Sequence, residues 1–242
     1  MDPQEYALMD AVEDRMWWYR AMHARAVAAL HALAGGAAVL DAGCGTGGFL
    51  ARLAAARPDL RLWGLEYAPD AAARAAGKSG ARVAAGTVNA LPFADGSFDA
   101  LASLDVLCHR AVDQASALAE FRRVLRPEGM LLLNLPAHEW LRSAHDARVH
   151  TARRYSRAAL RETLAAAGFA DVRCWHWNSL LLPLMAAQRK LLARRQDAAS
   201  DVTEYPRWLD AVLFAATEAE RGLLATGLRF PAGGSVMALA RR

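Results

Sequence analysis

Short apolar runs alternate along the chain with longer stretches whose apolar positions recur every three or four residues. The runs near 37–42, 60–66, 81–85, 98–104 and 129–135 have strand length, and the stretches between them have helical spacing. Asp113 is placed to cap the helix that carries Leu118, Phe121, Val124 and Leu125 on one face, and Ser156 to start the helix that ends at Gly168. Strands and helices in this alternation predict an α/β domain, a doubly wound parallel sheet with helices on both faces. In such an open sheet, ligands sit beyond the carboxyl ends of the strands, where the strand order reverses. Asp41, Glu66 and the residues after Leu104 are therefore expected to meet in one crevice.

The first run leads into Val39-Leu-Asp-Ala-Gly-Cys-Gly-Thr-Gly-Gly-Phe49, an apolar strand followed by a glycine-dense turn and then a helix. Gly43, Gly45 and Gly47 lack a Cβ, so backbone N–H groups there can approach a ligand closely, with the Asp41 carboxylate beside them. Gly43, Gly45 and Gly48 also spell the dinucleotide fingerprint, which expects an acid about 20 residues further on. Glu66, closing the second run, fills that place and can accept both hydroxyls of a ribose. These two motifs alone leave a nicotinamide-dependent oxidoreductase and a methyl-transferring enzyme both open.

Residues 86–109 separate the two. Leu91-Pro92-Phe93, then Asp95-Gly96-Ser97-Phe98-Asp99 and a strand, together with Asp41-x-Gly-x-Gly-x-Gly, resemble the class I S-adenosylmethionine-dependent methyltransferases. So do Leu125-Arg-Pro-Glu-Gly129 before the fifth strand, Gly168-Phe169, and a closing strand at 234–240, so that the likeness covers nearly the whole chain. The resemblance implies a Rossmann-like, seven-stranded, mostly parallel sheet and S-adenosyl-L-methionine as cofactor, leaving S-adenosyl-L-homocysteine. It implies that Asp41, Gly43, Cys44, Gly45 and Gly47 hold the methionine end, that Glu66 and Tyr67 hold the ribose, and that Val88, Asn89, Ala90 and Leu104 line the adenine. The family often has an acid where Thr87 stands, so Thr87, Asn89 or backbone groups must meet the adenine amine here. Cys44 reads as a small buried spacer rather than a nucleophile.

With 242 residues, the chain suits a single domain over 1–242: an N-terminal helical cap (1–35), a cofactor-binding core (36–135), a substrate-side insertion (136–155) and a C-terminal half with a helix pair and the last strand (156–242). Net charge is only +4, and Lys78 and Lys190 are the sole lysines, so the arginine excess reads as coding bias rather than a nucleic-acid surface. Cys44, Cys108 and Cys174 are far apart without paired metal spacing, which fits a reducing cytoplasm. The N-terminal residues show no basic-then-apolar leader, and no apolar run approaches the roughly 18 residues that span a bilayer.

Two regions lie outside the cofactor motifs. In the cap, Trp18 faces the substrate side, and Tyr19 and Arg20 are candidates to reach the cofactor, Arg20 as a bidentate partner for its carboxylate; packing on the sheet is the plainer role for at least one of Trp17 and Trp18. The insertion gathers His138, Glu139, Trp140, His145, Asp146, His150, Arg153, Arg154 and Tyr155. His145 or His150 is a candidate general base, with Asp146 orienting an imidazole, and His109, after the fourth strand, competes for the role. His138, His150, Arg153, Arg154 and Tyr155 are candidate substrate contacts, the arginines suiting an acidic acceptor. A metal site is not expected, since the spacing matches no compact ligand motif.

Leu180 to Ala187, followed by Gln188, Arg189 and Lys190, predicts an apolar helix that packs on a second helix around Trp208–Leu224, with a break at Gln196–Pro206 between them. A membrane surface, a lipid-linked substrate or a homodimer interface would also use such a helix. The function expected is transfer of a methyl group to an oxygen or nitrogen, less readily a carbon, of a small molecule, as in secondary metabolism. A non-catalytic adenosyl-ligand-binding protein is the remaining alternative. No nucleic-acid partner is expected, because Ser103-Leu104-Asp105-Val106 replaces the Asn/Asp-Pro-Pro-aromatic motif of amino-methylating enzymes.

Overall fold

The computed structural model describes residues 3–192 and 204–242, without the side chains of residues 3, 144, 145 and 190–192. Helices α1 (Pro3–Val12) and α2 (Trp17–Ala29) precede the first strand, β1 (Ala38–Ala42). Then come α3 (Gly48–Ala56), β2 (Arg61–Glu66), α4 (Pro69–Ser79), β3 (Arg82–Ala85), β4 (Phe98–Leu104), α5 (Gln114–Val124) and β5 (Leu125–Pro136). After β5 the chain makes a short turn, α6 (Ala144–Arg148) and α7 (Arg157–Ala166), then β6 (Ala170–Trp177), α8 (Leu182–Leu192), α9 (Arg207–Ala225) and β7 (Ser235–Arg241).

The seven strands form one sheet in the order β3-β2-β1-β4-β5-β7-β6. Neighbours from β3 to β5 run parallel, whereas β7 is antiparallel to both β5 and β6. Every residue of β1 is buried, as a central parallel strand requires. Alternate positions feed two cores: Leu40, Leu101, Leu131 and Leu133 pack toward α5 and α7, while Val39, Ala102, Leu132 and Met237 pack toward α2 and α3. The strand order reverses between β1 and β4, which puts the ligand-binding crevice at their carboxyl ends.

The expected caps form: the Asp113 side chain accepts from Ser116 N at 2.8 Å, and that of Ser156 from Ala159 N at 3.1 Å. The fifth strand begins earlier than expected, because Leu125 already pairs with Phe98. The resemblance required a strand that the sequence reading did not locate; it is β6, whose burial is too irregular to stand out as an apolar run.

The C-terminal helices correct a further expectation. Instead of pairing mainly with α8, helix α9 lies against α2, where Asp210 accepts from Trp17 N at 2.6 Å and from Arg20 at 3.2 Å. Trp17 is buried among Val12, Met16 and Leu213, so it packs. At its other end α9 presents Glu220, fully buried, which accepts from the backbone N–H groups of Asn178, Ser179 and Leu180 at 2.6–3.0 Å. Most of the expected break at Gln196–Pro206 lies outside the described residues. No helix among them is long and apolar enough to cross a membrane.

Candidate active site

The penultimate residue of strand β1 is Asp41, which is 2 % exposed and whose Oδ1 has no hydrogen-bond partner. Burial, reinforced by the charges of Glu66 and Glu13, pushes this carboxyl well above the usual carboxylate range. A buried acceptor in that condition matches a ligand cation, which would supply both the missing donor and the missing counter-charge. The turn beyond it admits glycine at two places for steric reasons. Gly43 has φ +90°, and a Cβ there would lie 2.3 Å from Val106 Cγ2; Gly47 has φ +93°, and a Cβ would lie 2.6 Å from the Ala75 backbone.

Strand β2 delivers Glu66 beside the turn, 5 % exposed. Its Oε2 accepts from Gly45 N at 2.9 Å, and its Oε1 accepts from Ala68 N at 3.2 Å and from the Tyr6 hydroxyl at 2.6 Å. The phenol thus occupies an oxygen that suits a ligand hydroxyl, so the residues present fit a nucleoside ribose. Helix α1, which carries Tyr6, is held over the turn by Glu13, which accepts from Thr46 Oγ1 and Lys78 Nζ, both at 2.6 Å. Burial also raises the Cys44 thiol, which leaves it protonated and inert as a spacer.

Around the adenine end, Val88 is buried in the core, Ala90 and Tyr67 are exposed, and Leu104 is partly exposed. The Asn89 side chain is engaged elsewhere: Nδ2 donates to Ala111 O at 3.1 Å and Oδ1 accepts from Asp113 N at 3.0 Å. That corrects its expected adenine role and leaves Thr87 or backbone groups for it.

Arg20 also departs from expectation. Its guanidinium pairs with Asp210 and lies 3.9 Å over the Phe214 ring, so it fastens α9 rather than facing the glycine turn. Trp18 and Tyr19 pack against the core: their rings meet edge to face at 5.1 Å, and Trp18 stacks on Trp177 at 6.2 Å.

The insertion is a clasp. Arg154 and Asp146 form a buried bidentate pair, Nε to Oδ1 and Nη2 to Oδ2 at 2.9 Å each, while Arg154 Nη1 donates to Ala137 O. Arg153 Nη2 donates to His109 O at 2.9 Å and to Val112 O, and the Tyr155 hydroxyl sits 2.7 Å from Gln114 Oε1. These bonds tie the insertion to the turn after β4. Among the described residues Asp146 bonds Arg154 and Ser143 rather than an imidazole, and Arg153, Arg154 and Tyr155 are spent on partners within the protein. His150 is exposed, and His138 stacks on His176 at 5.0 Å. The His145 side chain lies outside the described residues. His109 is kept neutral by burial; its Nδ1 is buried without a partner, while the ring bonds the Val149 carbonyl.

The sequence reading passed over Asp105 as a site residue. It follows β4 directly and has φ +57°. Its two carboxylate oxygens each accept from Asn134 Nδ2 at 3.1 Å. Asn134 in turn accepts from Trp177 Nε1 at 2.7 Å. A lone polar residue inside the apolar run 130–135 was the signal for Asn134.

Comparison with known proteins adds a family to this geometry. The sequence-family model described as a methyltransferase domain matches residues 40–133. An O-methyltransferase of Penicillium expansum is 32% identical over 139 residues, which is 54% of this chain and 47% of that protein. The malonyl-[acyl-carrier protein] O-methyltransferase of Dechloromonas aromatica is 38% identical over 141 residues, 55% of this chain and 52% of that one. The chain thus spans about half the length of these two curated relatives.

In structure, the phosphoethanolamine N-methyltransferase 2 of Haemonchus contortus, solved with S-adenosyl-L-methionine, aligns with TM-score 0.62 at 16% identity, over 91% of this chain and 52% of that one. The sheet and crevice define a doubly wound, nucleotide-type α/β domain. More narrowly, residues 40–133 match the methyltransferase-domain model, and the fold is that of a methyltransferase solved with S-adenosyl-L-methionine.

Proposed function

We propose that the protein transfers a methyl group from S-adenosyl-L-methionine to an oxygen or nitrogen of a small-molecule metabolite by in-line displacement. The observation that carries this reading is the pairing of unpartnered, buried Asp41 with Glu66 across the glycine turn. When bound, the cofactor supplies an electrophilic methyl on a sulfonium. Asp41 would hold its ammonium, Glu66 its ribose, and α1 would cover it. The chain's own work is then positioning, because fixing nucleophile and methyl in line replaces a bimolecular encounter. The two curated relatives are O-methyltransferases, which supports an oxygen acceptor. We place the reaction in the cytoplasm, on three free thiols, two of them buried, and take the protein as a monomer or homodimer without a nucleic-acid partner.

Isothermal titration with S-adenosylmethionine, S-adenosylhomocysteine and NAD(H) tests the reading. The two adenosyl ligands are expected to bind and NAD(H) not to; the reverse pattern overturns it in favour of an oxidoreductase. The Tyr6 phenol and a ribose hydroxyl compete for Glu66 Oε1. Removing the phenol's hydrogen bond should release that oxygen, so Tyr6→Phe is expected to tighten S-adenosylhomocysteine binding by roughly two- to tenfold, the value of one hydrogen bond. Weaker binding would show that the phenol helps hold the ligand.

A further inference from the structure

We propose that the Asp105 carboxylate is the proton acceptor of the transfer, and that the acceptor group it serves is a neutral hydroxyl rather than a carboxylate or phosphate. This rests on the methyltransferase reading and adds a residue and a substrate class to it.

Position comes first. Asp105 stands at the carboxyl end of β4, beside β1, and the side chain of the next residue, Val106, packs against Gly43 of the glycine turn. Protein surrounds Asp105 closely, yet it keeps solvent-accessible surface, as a group at the bottom of a crevice does. His109, four residues on, also keeps some surface, but its unpartnered Nδ1 is buried and its ring is bonded to the Val149 carbonyl, so neither nitrogen is open to an acceptor.

The carboxylate is also aimed. Its backbone holds the left-handed φ of +57°, tied down by Asp105 N donating to Asn134 O at 2.8 Å. The indole N–H of Trp177 can only donate, so its bond to Asn134 Oδ1 fixes which way the amide faces and turns Nδ2 toward Asp105. Asn134 is thus a positioning residue. Strained backbone held by surrounding hydrogen bonds is a recurrent feature of reactive sites.

The groups facing Asp105 are Asn134 from β5, Tyr19 from α2, Cys108 from the turn after β4, and Arg154 from the insertion. Burial lifts its carboxyl, while the Asn134 hydrogen bond and the Arg154 charge pull it down; the balance lies at about 7. Tyr19 and Cys108 are themselves pushed up and stay neutral. Arg154 is already paired with Asp146, and among the described residues no cation lies within ion-pair distance of Asp105. An anionic acceptor would meet an uncompensated carboxylate, whereas a hydroxyl can donate to it. A base near the working pH is also well matched to general-base catalysis.

In the step, the hydroxyl oxygen forms its bond to the methyl carbon as the carbon–sulfur bond breaks. The bonding pair passes to sulfur, giving a neutral thioether, and the hydroxyl proton passes to an Asp105 oxygen and then to solvent.

The test compares wild type with Asp105→Asn, both loaded with S-adenosylhomocysteine. Carbon-13 NMR of the aspartate carboxyls is expected to show one group titrating near neutral pH in wild type and missing in the variant, at equal S-adenosylhomocysteine affinity. With S-adenosylmethionine and four probes that share a ring, namely phenol, benzyl alcohol, benzoate and phenyl phosphate, release of S-adenosylhomocysteine should favour the two hydroxyls. That release should rise with pH through the neutral range and fall roughly 100- to 10,000-fold in Asp105→Asn. Asn134→Leu should shift the pH profile, which a merely structural role would not do. Undiminished release by Asp105→Asn, release from benzoate as fast as from phenol, or no aspartate titrating near neutrality each overturn the proposal. If no probe reacts above the acceptor-free rate, the NMR titration decides. Failure of wild type to bind S-adenosylhomocysteine would overturn the methyltransferase reading instead, with the Asp105 titration still visible.

Discussion

Asp41→Ala is expected to weaken S-adenosylhomocysteine binding on the order of 100-fold, the value of a hydrogen bond between charged groups in a buried setting. The loss should be specific, because the Asp41 Oδ1 has no internal partner whose removal would unfold the chain. Burial and two neighbouring acids raise this carboxyl in the free protein. A cationic ligand group favours its ionised form, so binding and ionisation are coupled. Affinity is therefore expected to rise with pH toward neutrality, and titration in two buffers of different ionisation enthalpy should report proton release on binding. Asp41→Asn keeps the shape and removes both the affinity and its pH dependence. Binding of either variant at wild-type affinity would show that the methionine end lies elsewhere.

How far the sequence could be read follows from which residues act alone and which act through partners. The turn from Asp41 to Gly48 was legible because its chemistry is local: no side chain fits at Gly43 or Gly47, whatever the rest of the chain does. Glu66 was legible through its fixed spacing from that turn. Strand β6 was not, because it packs at the sheet edge with mixed burial and carries no clean period.

The insertion misled for a different reason. A cluster of histidines, arginines and an aspartate looks alike in one dimension whether it grips a substrate or grips itself. Only the fold shows that Arg153 reaches the carbonyls of His109 and Val112 across 41 to 44 residues, and that Arg20 meets Asp210 across 190. Asp105 was missed for the converse reason. Its partners, Asn134 and Trp177, are far away in sequence and join it only because β4 and β5 are neighbours and β7 links β5 to β6.

Asp146→Ala is expected to destabilise the protein by about 3–5 kcal/mol, because it leaves the Arg154 guanidinium buried without its counter-charge. Both side chains are under 5 % exposed, so solvent cannot take the place of the lost partner. For a chain of this length that corresponds to a fall in Tm on the order of 10 °C. The pH dependence follows from the carboxyl itself. Burial raises it, but the hydrogen bonds and charge of Arg154 outweigh burial and hold it below the ordinary value of 3.8. Its folded value is depressed, so its contribution is fully present above the unfolded value and is lost as pH falls through the folded one. Wild type and variant should therefore differ most at neutral pH and converge in acid. Replacing both partners, Asp146→Leu with Arg154→Met, removes two buried charges together and is expected to recover much of the loss. Urea melts of the four proteins measure the coupling. A folded, stable Asp146→Ala that has lost turnover would return the residue to catalysis, whereas unfolding with normal turnover per folded molecule confirms that this pair holds the insertion together.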